Sequence, residues 1–469
     1  MNDYDVIVIG AGATGENLAD RAKAGGLSVV IIESELVGGE CSYWACMPSK
    51  ALLRSAAALR AARRVGGARE AATGELDVPA VFARRDSTVH EWNDGSQVTW
   101  LKSIGVDLVR GKARISGERE VTVTAAEGPE RVLSARHAVA VCTGSAALLP
   151  DIPGLRESAP WTSREATSAR TAPRSLAIIG GGVVGVEMAT AYAGFGTDVT
   201  VISRSGLLGN EEPFAGELVQ EGLTQLGATV LTGISPSTVR RTDQGVLLEL
   251  DNGTAVVADE VLVATGRIPR TTDLGLENVG LRDGDWLDVD DTMRVRGSDW
   301  LYAAGDVNHR VLLTHQGKYQ ARAAGAAIAV RANGHDVDDE AWGRHVATAD
   351  HEAVPQVTFS EPEVASVGLT EAAATKAGYP IRVIDHNIGE VAGGSLQADG
   401  YGGRARLVID ESRGVIIGAT FVGQDVAELL HAATIAIVGE VPIDRLWHAV
   451  PAFPTMSEVW LRLLEEYRG

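Results

Sequence analysis

Two cysteines set close together are the residues of this sequence most able to do chemistry. Cys41 and Cys46 lie in the stretch GGECSYWACMPSK at residues 38–50, and the chain has one further cysteine, Cys142. Because a thiolate is both a nucleophile and a redox group, the close pair indicates a redox-active dithiol. The alternative is that both are buried, inert residues at the start of a helix. Cys142 lies in an apolar strand pattern and is predicted to serve packing alone.

The spacing of the pair predicts a local distortion of the helix. Residues five apart in a regular helix have Cα atoms about 8 Å apart, whereas a disulfide needs roughly 4.4–6.8 Å. If the two cysteines bond, Cys41 must therefore lie off an ideal helix. We predict a distorted turn there and a regular helix only from about Pro48, since proline suits a first turn.

A glycine fingerprint before the cysteines predicts the element that positions them. Residues 4–9 form a buried strand pattern, a helical pattern continues to about Lys23, and a second strand pattern at 27–32 ends at Glu33. The glycines between the first strand and the helix are Gly10, Gly12 and Gly15. They let a pyrophosphate approach the helix N-terminus. Glu33 could accept hydrogen bonds from ribose hydroxyls or be only a surface acid, so the pattern predicts a dinucleotide-binding βαβ unit.

The same pattern recurs later in the chain and predicts a second dinucleotide. Strand patterns at 175–179 and 198–202 flank a helical pattern that ends near Phe195. The glycines of this second fingerprint are Gly180, Gly182 and Gly185. The second strand runs into Ser203 and Arg204 instead of an acid. An arginine favours a ribose 2′-phosphate, so NADPH is predicted over NADH, unless Arg204 is only a solvated surface residue.

Composition bounds the class of protein. The chain has 469 residues, 45% of them hydrophobic, which suits two to four domains. Its formal net charge of −20 argues against a nucleic-acid partner, because phosphates need a basic patch. Three cysteines are too few for a disulfide scaffold and fit a reducing compartment. We find no signal-peptide pattern and no apolar run of about 18 residues, so we predict a cytoplasmic protein without a membrane partner.

The rest of the chain predicts an α/β protein with a separate C-terminal region. Further elements are predicted as helices at 49–64, 81–103 and 312–329, a small β layer from 108–115 and 121–124, strands at 138–145, 256–267 and 300–307, and a linker at 347–351. Residues 355–469 alternate strand and helix patterns without a nucleotide fingerprint, as an α+β interface domain would.

These motifs together resemble the pyridine nucleotide–disulfide oxidoreductase family, the group of dihydrolipoamide dehydrogenase, glutathione reductase and mercuric reductase. The resemblance runs the whole length and is carried by the two fingerprints, the Cys-x4-Cys-x-Pro-Ser-Lys box, ATGRIP, LYAAGDV and VTFSEPEVASVGLTE. It implies two Rossmann-like domains, one for FAD and one for NAD(P)H, plus a C-terminal α+β dimerisation domain of a homodimer. The implied segments are 1–149 and 267–346 for FAD, 150–266 for NAD(P)H, and 347–469 for the dimer interface.

The resemblance also assigns roles residue by residue. Cys46 is implied to be the charge-transfer thiolate beside the flavin and Cys41 the interchange thiol that meets the acceptor. Lys50 and Glu187 are implied to form an ion pair beside the flavin ring, where a buried lysine needs a partner. The remaining implied FAD positions are Gly39, Ala113, Thr143, Gly144, Gly305, Asp306 and Thr314, and Gly266 is added to the NAD(P)H site. No metal site is expected.

The C-terminal segment departs from the family pattern. Disulfide-reducing members carry a histidine–glutamate pair there; Glu458 matches the glutamate, but Phe453 stands at the histidine position. A general acid–base group contributes about 10²–10⁴-fold, so ordinary disulfide reduction is in doubt. The histidines that could substitute are His448, His431 and His315, each of which could equally be structural or on the surface.

The sequence therefore predicts an FAD-dependent NAD(P)H oxidoreductase whose acceptor is unusual. Segment 199–205 resembles the NADPH segment of mercuric reductases, but no cysteine follows Cys142, so mercuric reduction is doubtful. Tyr43 and Trp44 could form an aromatic face for a planar substrate or simply pack. The expected acceptor is a low-pKa disulfide, a quinone or another small electrophile. The alternatives are direct transfer from flavin to quinone or O₂, and a flavin-binding redox sensor with little turnover.

Overall fold

The structure is a computed structural model that describes residues 3–125 and 128–469. The chain divides into two compact units. The described residues of 1–48, 86–147 and 267–350 form unit 1, and those of 49–85, 148–266 and 351–469 form unit 2. The four functional segments stay a prediction.

Strands and helices alternate along most of the chain. The strands are β1 (Asp3–Ile9), β2 (Val29–Glu33), β3 (Asp107–Arg110), β4 (Lys112–Gly117), β5 (Glu120–Thr124), β6 (Arg131–Val141), β7 (Ser145–Ala147), β8 (Ser175–Ile179), β9 (Asp198–Ser203), β10 (Thr229–Thr232), β11 (Pro236–Thr242), β12 (Gly245–Leu250), β13 (Ala255–Ala258), β14 (Glu260–Val263), β15 (Arg267–Pro269), β16 (Leu301–Ala303), β17 (Pro355–Thr358), β18 (Glu363–Gly368), β19 (Ile381–Asn387), β20 (Arg404–Asp410) and β21 (Val415–Gly423). The helices are α1 (Ala13–Ala24), α2 (Gly39–Tyr43), α3 (Cys46–Arg63), α4 (Ala68–Ala71), α5 (Val78–Thr88), α6 (Gly95–Ser103), α7 (Ser163–Ser168), α8 (Val183–Gly194), α9 (Pro213–Gln225), α10 (Thr314–Ala332), α11 (Ala349–Glu352), α12 (Glu371–Lys376), α13 (Ala392–Gln397), α14 (Leu430–Val438), α15 (Ile443–Leu446) and α16 (Glu458–Arg468). Short 3-10 helices span His90–Trp92, Leu276–Val279, Asp306–Asn308, Ile388–Glu390 and Val426–Leu429.

Unit 1 is built on one seven-stranded sheet with the order β3-β2-β1-β6-β5-β4, and β16 pairs with β6. β1, β2, β3, β16 and the C-terminal half of β6 run parallel, and the apolar run of the central strand β1 is buried, as is usual in parallel sheets. β4, β5 and the start of β6 pair antiparallel. The carboxyl ends of β1 and β2 therefore meet at the edge where the first fingerprint begins.

Unit 2 contains three sheets. A parallel sheet has the order β10-β9-β8-β14, and the antiparallel sheet β11-β12-β13 accompanies it. The C-terminal region forms an antiparallel sheet with the order β17-β18-β21-β20-β19. Its central strand, β21, is buried along all nine residues. The predicted α/β class with a C-terminal α+β region is confirmed.

Several predicted element boundaries are wrong. The helix predicted at 81–103 is broken, because His90, Glu91 and Trp92 all adopt positive φ between α5 and α6. The strand predicted at 108–115 splits, and its first half joins the parallel sheet instead of a small β layer. The strand predicted at 256–267 is divided among three strands, and the one predicted at 138–145 is divided between β6 and β7. The linker predicted at 347–351 overlaps α11. Apolar runs do not show where a single turn residue interrupts them.

Candidate active site

Cys41 and Cys46 lie on two successive helices. Cys41 belongs to α2 and Cys46 begins α3, with Trp44 between them at φ −137°, outside helical geometry. The predicted interruption is confirmed, but α3 begins at Cys46 and not at Pro48. Gly39 explains the turn: it has φ +59°, and a Cβ there would lie 2.8 Å from the Gly12 Cα. The cysteine box is therefore anchored against the first fingerprint.

The two thiols share a hydrogen-bonding environment. Thr314 Oγ1, at the start of α10, lies 3.2 Å from Cys46 Sγ. The Cys41 thiol is hydrogen-bonded to Cys46 and to Thr314, and both cysteines are present as thiols. The hydrogen bond to Cys46 and burial raise the pKa of Cys41, because a second thiolate beside the first would be repelled. Thr314, predicted only as a flavin contact, thus also contacts the thiols.

The Lys50–Glu187 ion pair is present within unit 2. Lys50 Nζ lies 2.7 and 2.9 Å from the two Glu187 carboxylate oxygens. Glu187 also accepts the Phe359 backbone N–H at 3.1 Å. The Glu187 side chain is 5% exposed and that of Lys50 is 35% exposed. A buried carboxylate is thus held by one ammonium group and one amide.

The first fingerprint has the geometry that a dinucleotide pyrophosphate needs. Gly10 adopts φ +98°, and a Cβ on Gly15 would lie 1.9 Å from the Gly10 carbonyl oxygen. Gly12 is the N-cap of α1 and provides no side-chain cap, so the first amide groups are left for a ligand. Glu33 accepts the Ala11 N–H at 2.7 Å, and burial raises its pKa. These residues fit FAD.

The other predicted flavin residues lie in unit 1 as well. Thr143 Oγ1 is buried without a hydrogen-bond partner in the part of the chain that the structure describes, which fits a missing ligand. Asp306 accepts the Ser145 hydroxyl, and Arg267 Nε lies 3.7 Å from it. The remaining predicted positions are Gly144 and Gly305, both at positive φ, and Ala113, which packs in the core on β4.

The second fingerprint repeats the backbone geometry in unit 2. Gly180 has φ +119°, and a Cβ on Gly185 would lie 2.1 Å from the Gly180 carbonyl oxygen. Gly182, the N-cap of α8, has open space around it and no side-chain cap. At the end of β9, Ser203 is buried and Arg204 is exposed. The predicted Gly266 adopts φ +146° before β15. These residues fit a second dinucleotide.

The C-terminal segment offers no buried histidine. The side chain of Phe453 is 75% exposed, and the candidate substitutes His448, His431 and His315 are all exposed. Glu458 is buried; it accepts the Ala392 N–H at 3.2 Å and pairs with Arg462 at 2.6 Å. Glu458 therefore serves a structural contact where the family pattern expects it to orient a base.

Sequence reasoning missed an ion pair beside the reactive cysteine. Arg270 Nη2 lies 2.8 Å from Glu40 Oε1, and Arg270 Nε donates to the Ser145 carbonyl at 3.1 Å. Glu40 directly precedes Cys41, so the pair ties α2 to the residue that follows β15. The unusual glutamate before Cys41 was the available signal, but its partner lies 230 residues away. Tyr43 and Trp44 pack edge to face with ring centroids 5.7 Å apart, and Tyr43 is buried.

The described residues hold neither a metal-ligand cluster nor a membrane-spanning helix. Within 3–125 and 128–469 no group of three or more His, Cys, Asp or Glu side chains could hold a metal ion. No helix in these same ranges is long and apolar enough to cross a membrane.

Comparison with known proteins identifies the class. The sequence profile "Pyridine nucleotide-disulphide oxidoreductase" matches residues 4–326, and that of the family's dimerisation domain matches 354–463. The chain therefore belongs to the pyridine nucleotide-disulphide oxidoreductase family, an FAD-dependent family that uses a pyridine nucleotide. The C-terminal match supports homodimer formation.

Individual relatives carry different activities. Mercuric reductase of Streptomyces lividans is 33% identical over 463 residues, covering 97% of this chain and 94% of the relative. Dihydrolipoyl dehydrogenase of Haloferax volcanii is 32% identical over 481 residues, covering 99% and 96%. The Cu(II) complex of the HOCl-induced flavoprotein disulfide reductase RclA from Escherichia coli superposes with a TM-score of 0.85 at 23% identity, covering 99% and 100%, and shows the same fold.

Proposed function

We propose that this chain uses NADPH to reduce a Cys41–Cys46 disulfide and passes the electrons on to a small disulfide or another electrophilic acceptor. The observation that carries the proposal is that the two thiols lie within hydrogen-bonding reach although they belong to different helices. Such proximity is what a reversible disulfide needs. When bound, FAD supplies the two-electron transfer between the nicotinamide and this pair.

The two thiols have different chemical roles. Cys46 begins an 18-residue helix, whose first amide groups favour a negative charge, and the Thr314 hydroxyl is placed to donate to it. Cys46 is therefore the thiol that holds the charge in the reduced enzyme. Cys41 is the thiol that attacks the acceptor, and its raised pKa means that a nearby group must take its proton first.

Charged residues near the two predicted cofactor sites support the choice of FAD and NADPH. The family resemblance implies that Lys50, which pairs with Glu187, supplies a cation to the flavin. The exposed Arg204 at the end of β9 supports NADPH over NADH, because a guanidinium pairs with a 2′-phosphate. A homodimer in a reducing compartment such as the cytoplasm suits the dimerisation domain and the thiols.

A panel of acceptors under NADPH and NADH tests the proposal. We expect disulfide reduction with NADPH that Cys41→Ser abolishes. We also expect long-wavelength absorption on two-electron reduction that Cys46→Ser lacks. The same absorption in Cys46→Ser would overturn the assignment of the charged thiol. Phe453→His is expected to raise turnover of disulfides with basic leaving thiols, and no gain would mean that the acceptor site itself differs.

A second candidate is direct transfer from the flavin to a quinone. It is favoured by Phe453, which is 75% exposed and cannot titrate where the family pattern has a base. Quinone reduction that survives the double change Cys41→Ser and Cys46→Ser would support this candidate. Loss of quinone reduction in the double variant would exclude it.

A further inference from the structure

One carboxyl group in unit 1 is buried with an oxygen that makes no hydrogen bond. Glu16 directly follows Gly15 in α1, and its Oε1 atom has no partner within residues 3–125 and 128–469. An unpaired buried carboxylate oxygen is costly, so such a group needs a functional explanation. Burial raises the pKa of Glu16 to about 7, although the charge of Lys318 opposes the rise. Glu16 can therefore bind or release a proton near neutral pH.

The packing of α1 on α10 brings Lys318 toward this carboxyl group. A Cβ on Gly317 would lie 2.4 Å from the Thr14 Oγ1 atom, so the first turns of the two helices touch. Glu16 follows Thr14 by two residues, and Lys318 directly follows Gly317. Lys318 lies close enough for its charge to act on the Glu16 carboxyl group, and both residues are half-buried.

Lys318 also faces the thiols. Thr314 and Lys318 are four residues apart on α10 and therefore share one face of the helix. Thr314 is hydrogen-bonded to both cysteines, and the charge of Lys318 lowers the pKa of Cys41. One cation is thus shared between the Cys41 thiol and the Glu16 carboxyl group.

We propose that Glu16 holds the proton given up by Cys41 while the Lys318 cation stabilises the remaining anion, the task for which the family pattern has a histidine and this chain has Phe453. The inference rests on the proposed function. One ammonium charge favours one anion beside it, and the raised pKa of Cys41 makes the first of two arrangements the resting one. Either Cys41 is a thiol and Glu16 a carboxylate, or Cys41 is a thiolate and Glu16 a carboxylic acid.

The exchange balances atoms and charge. The Cys41 thiolate attacks the acceptor disulfide, forming a mixed disulfide while the acceptor S–S bond breaks and one thiolate leaves. The Glu16 proton passes through water to that leaving thiolate. The Cys46 thiolate then attacks Cys41, which forms the internal disulfide and releases the second thiolate. Two electrons from NADPH restore the dithiol by the activity of the family.

Two further titratable groups face Glu16. Glu33, on β2, adds a like charge that raises the pKa of Glu16. Tyr43, on α2, faces Glu16, and burial raises the pKa of Tyr43 to about 12. Around Cys41 the other groups are Cys46 and Thr314. Both Glu33 oxygens accept backbone N–H groups, whereas Glu16 Oε1 has no partner in the described residues, so the proton exchange is assigned to Glu16.

The pH dependence of Cys41 alkylation by iodoacetamide, in holoenzyme carrying Cys46→Ser, tests the coupling without turnover. Glu16→Gln leaves the Lys318 charge to Cys41 alone, so alkylation at pH 8 should rise about tenfold, one pKa unit, and the inflection near pH 7 should vanish. Lys318→Met should slow alkylation. Asp20→Asn, an exposed carboxyl one turn further along α1, is the matched control, and Glu16→Asp should restore the inflection.

Turnover with two acceptors tests the proton transfer in otherwise wild-type enzyme. Glu16→Gln should lower the rate at least about tenfold for a disulfide with a basic leaving thiol and little for one with an acidic leaving thiol. An unchanged alkylation profile, or an equal loss with both acceptors at equal flavin content, would overturn the inference. A wild-type enzyme that reduces no disulfide would instead refute the proposed function, and the alkylation profile would still decide the coupling.

Discussion

The two dinucleotide-binding βαβ units of this chain have the same backbone geometry at their glycines but differ in the charged residues around them. In both, the first glycine has positive φ, and the third has a carbonyl oxygen where a Cβ would stand. The second strand of the first βαβ unit ends at Glu33, and that of the second βαβ unit runs into Ser203 and Arg204. The glycines fit a pyrophosphate in both, whereas the residues at the end of the second strand are proposed to select the ribose that each βαβ unit accepts.

The helices that follow the glycines differ in the hydrogen-bond partners of the acidic residue near their start. Glu16 comes directly after the third glycine of α1 and has an unpaired buried oxygen. Glu187 comes two residues after the third glycine of α8 and is held by Lys50 and the Phe359 amide. An acid at nearly the same place is thus fully paired in one βαβ unit and keeps an oxygen without a partner among the described residues in the other.

The largest expected effect comes from filling either glycine contact. Gly15→Ala should abolish FAD binding, because the new Cβ would stand 1.9 Å from a carbonyl oxygen. Gly185→Ala should keep FAD but abolish reduction of the flavin by NADPH, since its clash at 2.1 Å lies in the second unit. Flavin absorbance per protein and stopped-flow reduction measure the two. Gly74→Ala, with open space around it, is the control; equal FAD loss in both fingerprint variants would contradict separate sites.

The next effect concerns the ribose end of the second unit. Arg204→Glu should lower kcat/KM for NADPH by about tenfold to a hundredfold, because it removes a cation and adds an anion beside a 2′-phosphate. The value for NADH should change little. Arg240→Glu, an exposed arginine on β11, makes the same charge change elsewhere. A proportional loss with both nucleotides would show that Arg204 does not read the 2′-position.

Removal of the Lys50 cation, the partner of Glu187, should destabilise the enzyme. Lys50→Met leaves the Glu187 carboxylate buried without its cation, which should cost about 1–3 kcal/mol, less than for a fully buried pair because Lys50 is 35% exposed. Urea unfolding of the holoenzyme measures the change. The double change Lys50→Met and Glu187→Gln should recover part of the loss; no recovery would show that the two side chains act independently.

Removal of the Glu16 carboxylate, the unpaired acid, should stabilise the enzyme above pH 7. This effect is the smallest that we expect. The pKa of Glu16 rises from 4.5 to about 7 on folding, so the folded state favours the protonated form and this contribution is lost as the pH rises through about 7. Glu16→Gln should therefore raise the Tm above pH 7 and leave it nearly unchanged below pH 4.5. Thermal unfolding at several pH values, with Asp20→Asn beside it, measures the difference, which an unchanged pH dependence would contradict.

The sequence by itself determined the family, the two βαβ units and the cysteine box. Gly10 and Gly180 sit between a strand and a helix in a spacing that the pyrophosphate site requires, so local pattern was enough. The geometric argument also placed Cys41 off the helix that carries Cys46. Boundaries were less predictable, because the turn at His90 interrupts a helical pattern without changing its apolar spacing.

Only the tertiary structure decided which distant side chains meet. Arg270 pairs with Glu40 across 230 positions, and Thr314 reaches Cys46 across 268. Burial raises the pKa of Glu16, and no local pattern encodes the tertiary packing that buries this residue. A motif fixes the residues that are close in sequence, whereas the chemistry of the thiols depends on charges brought to them by folding.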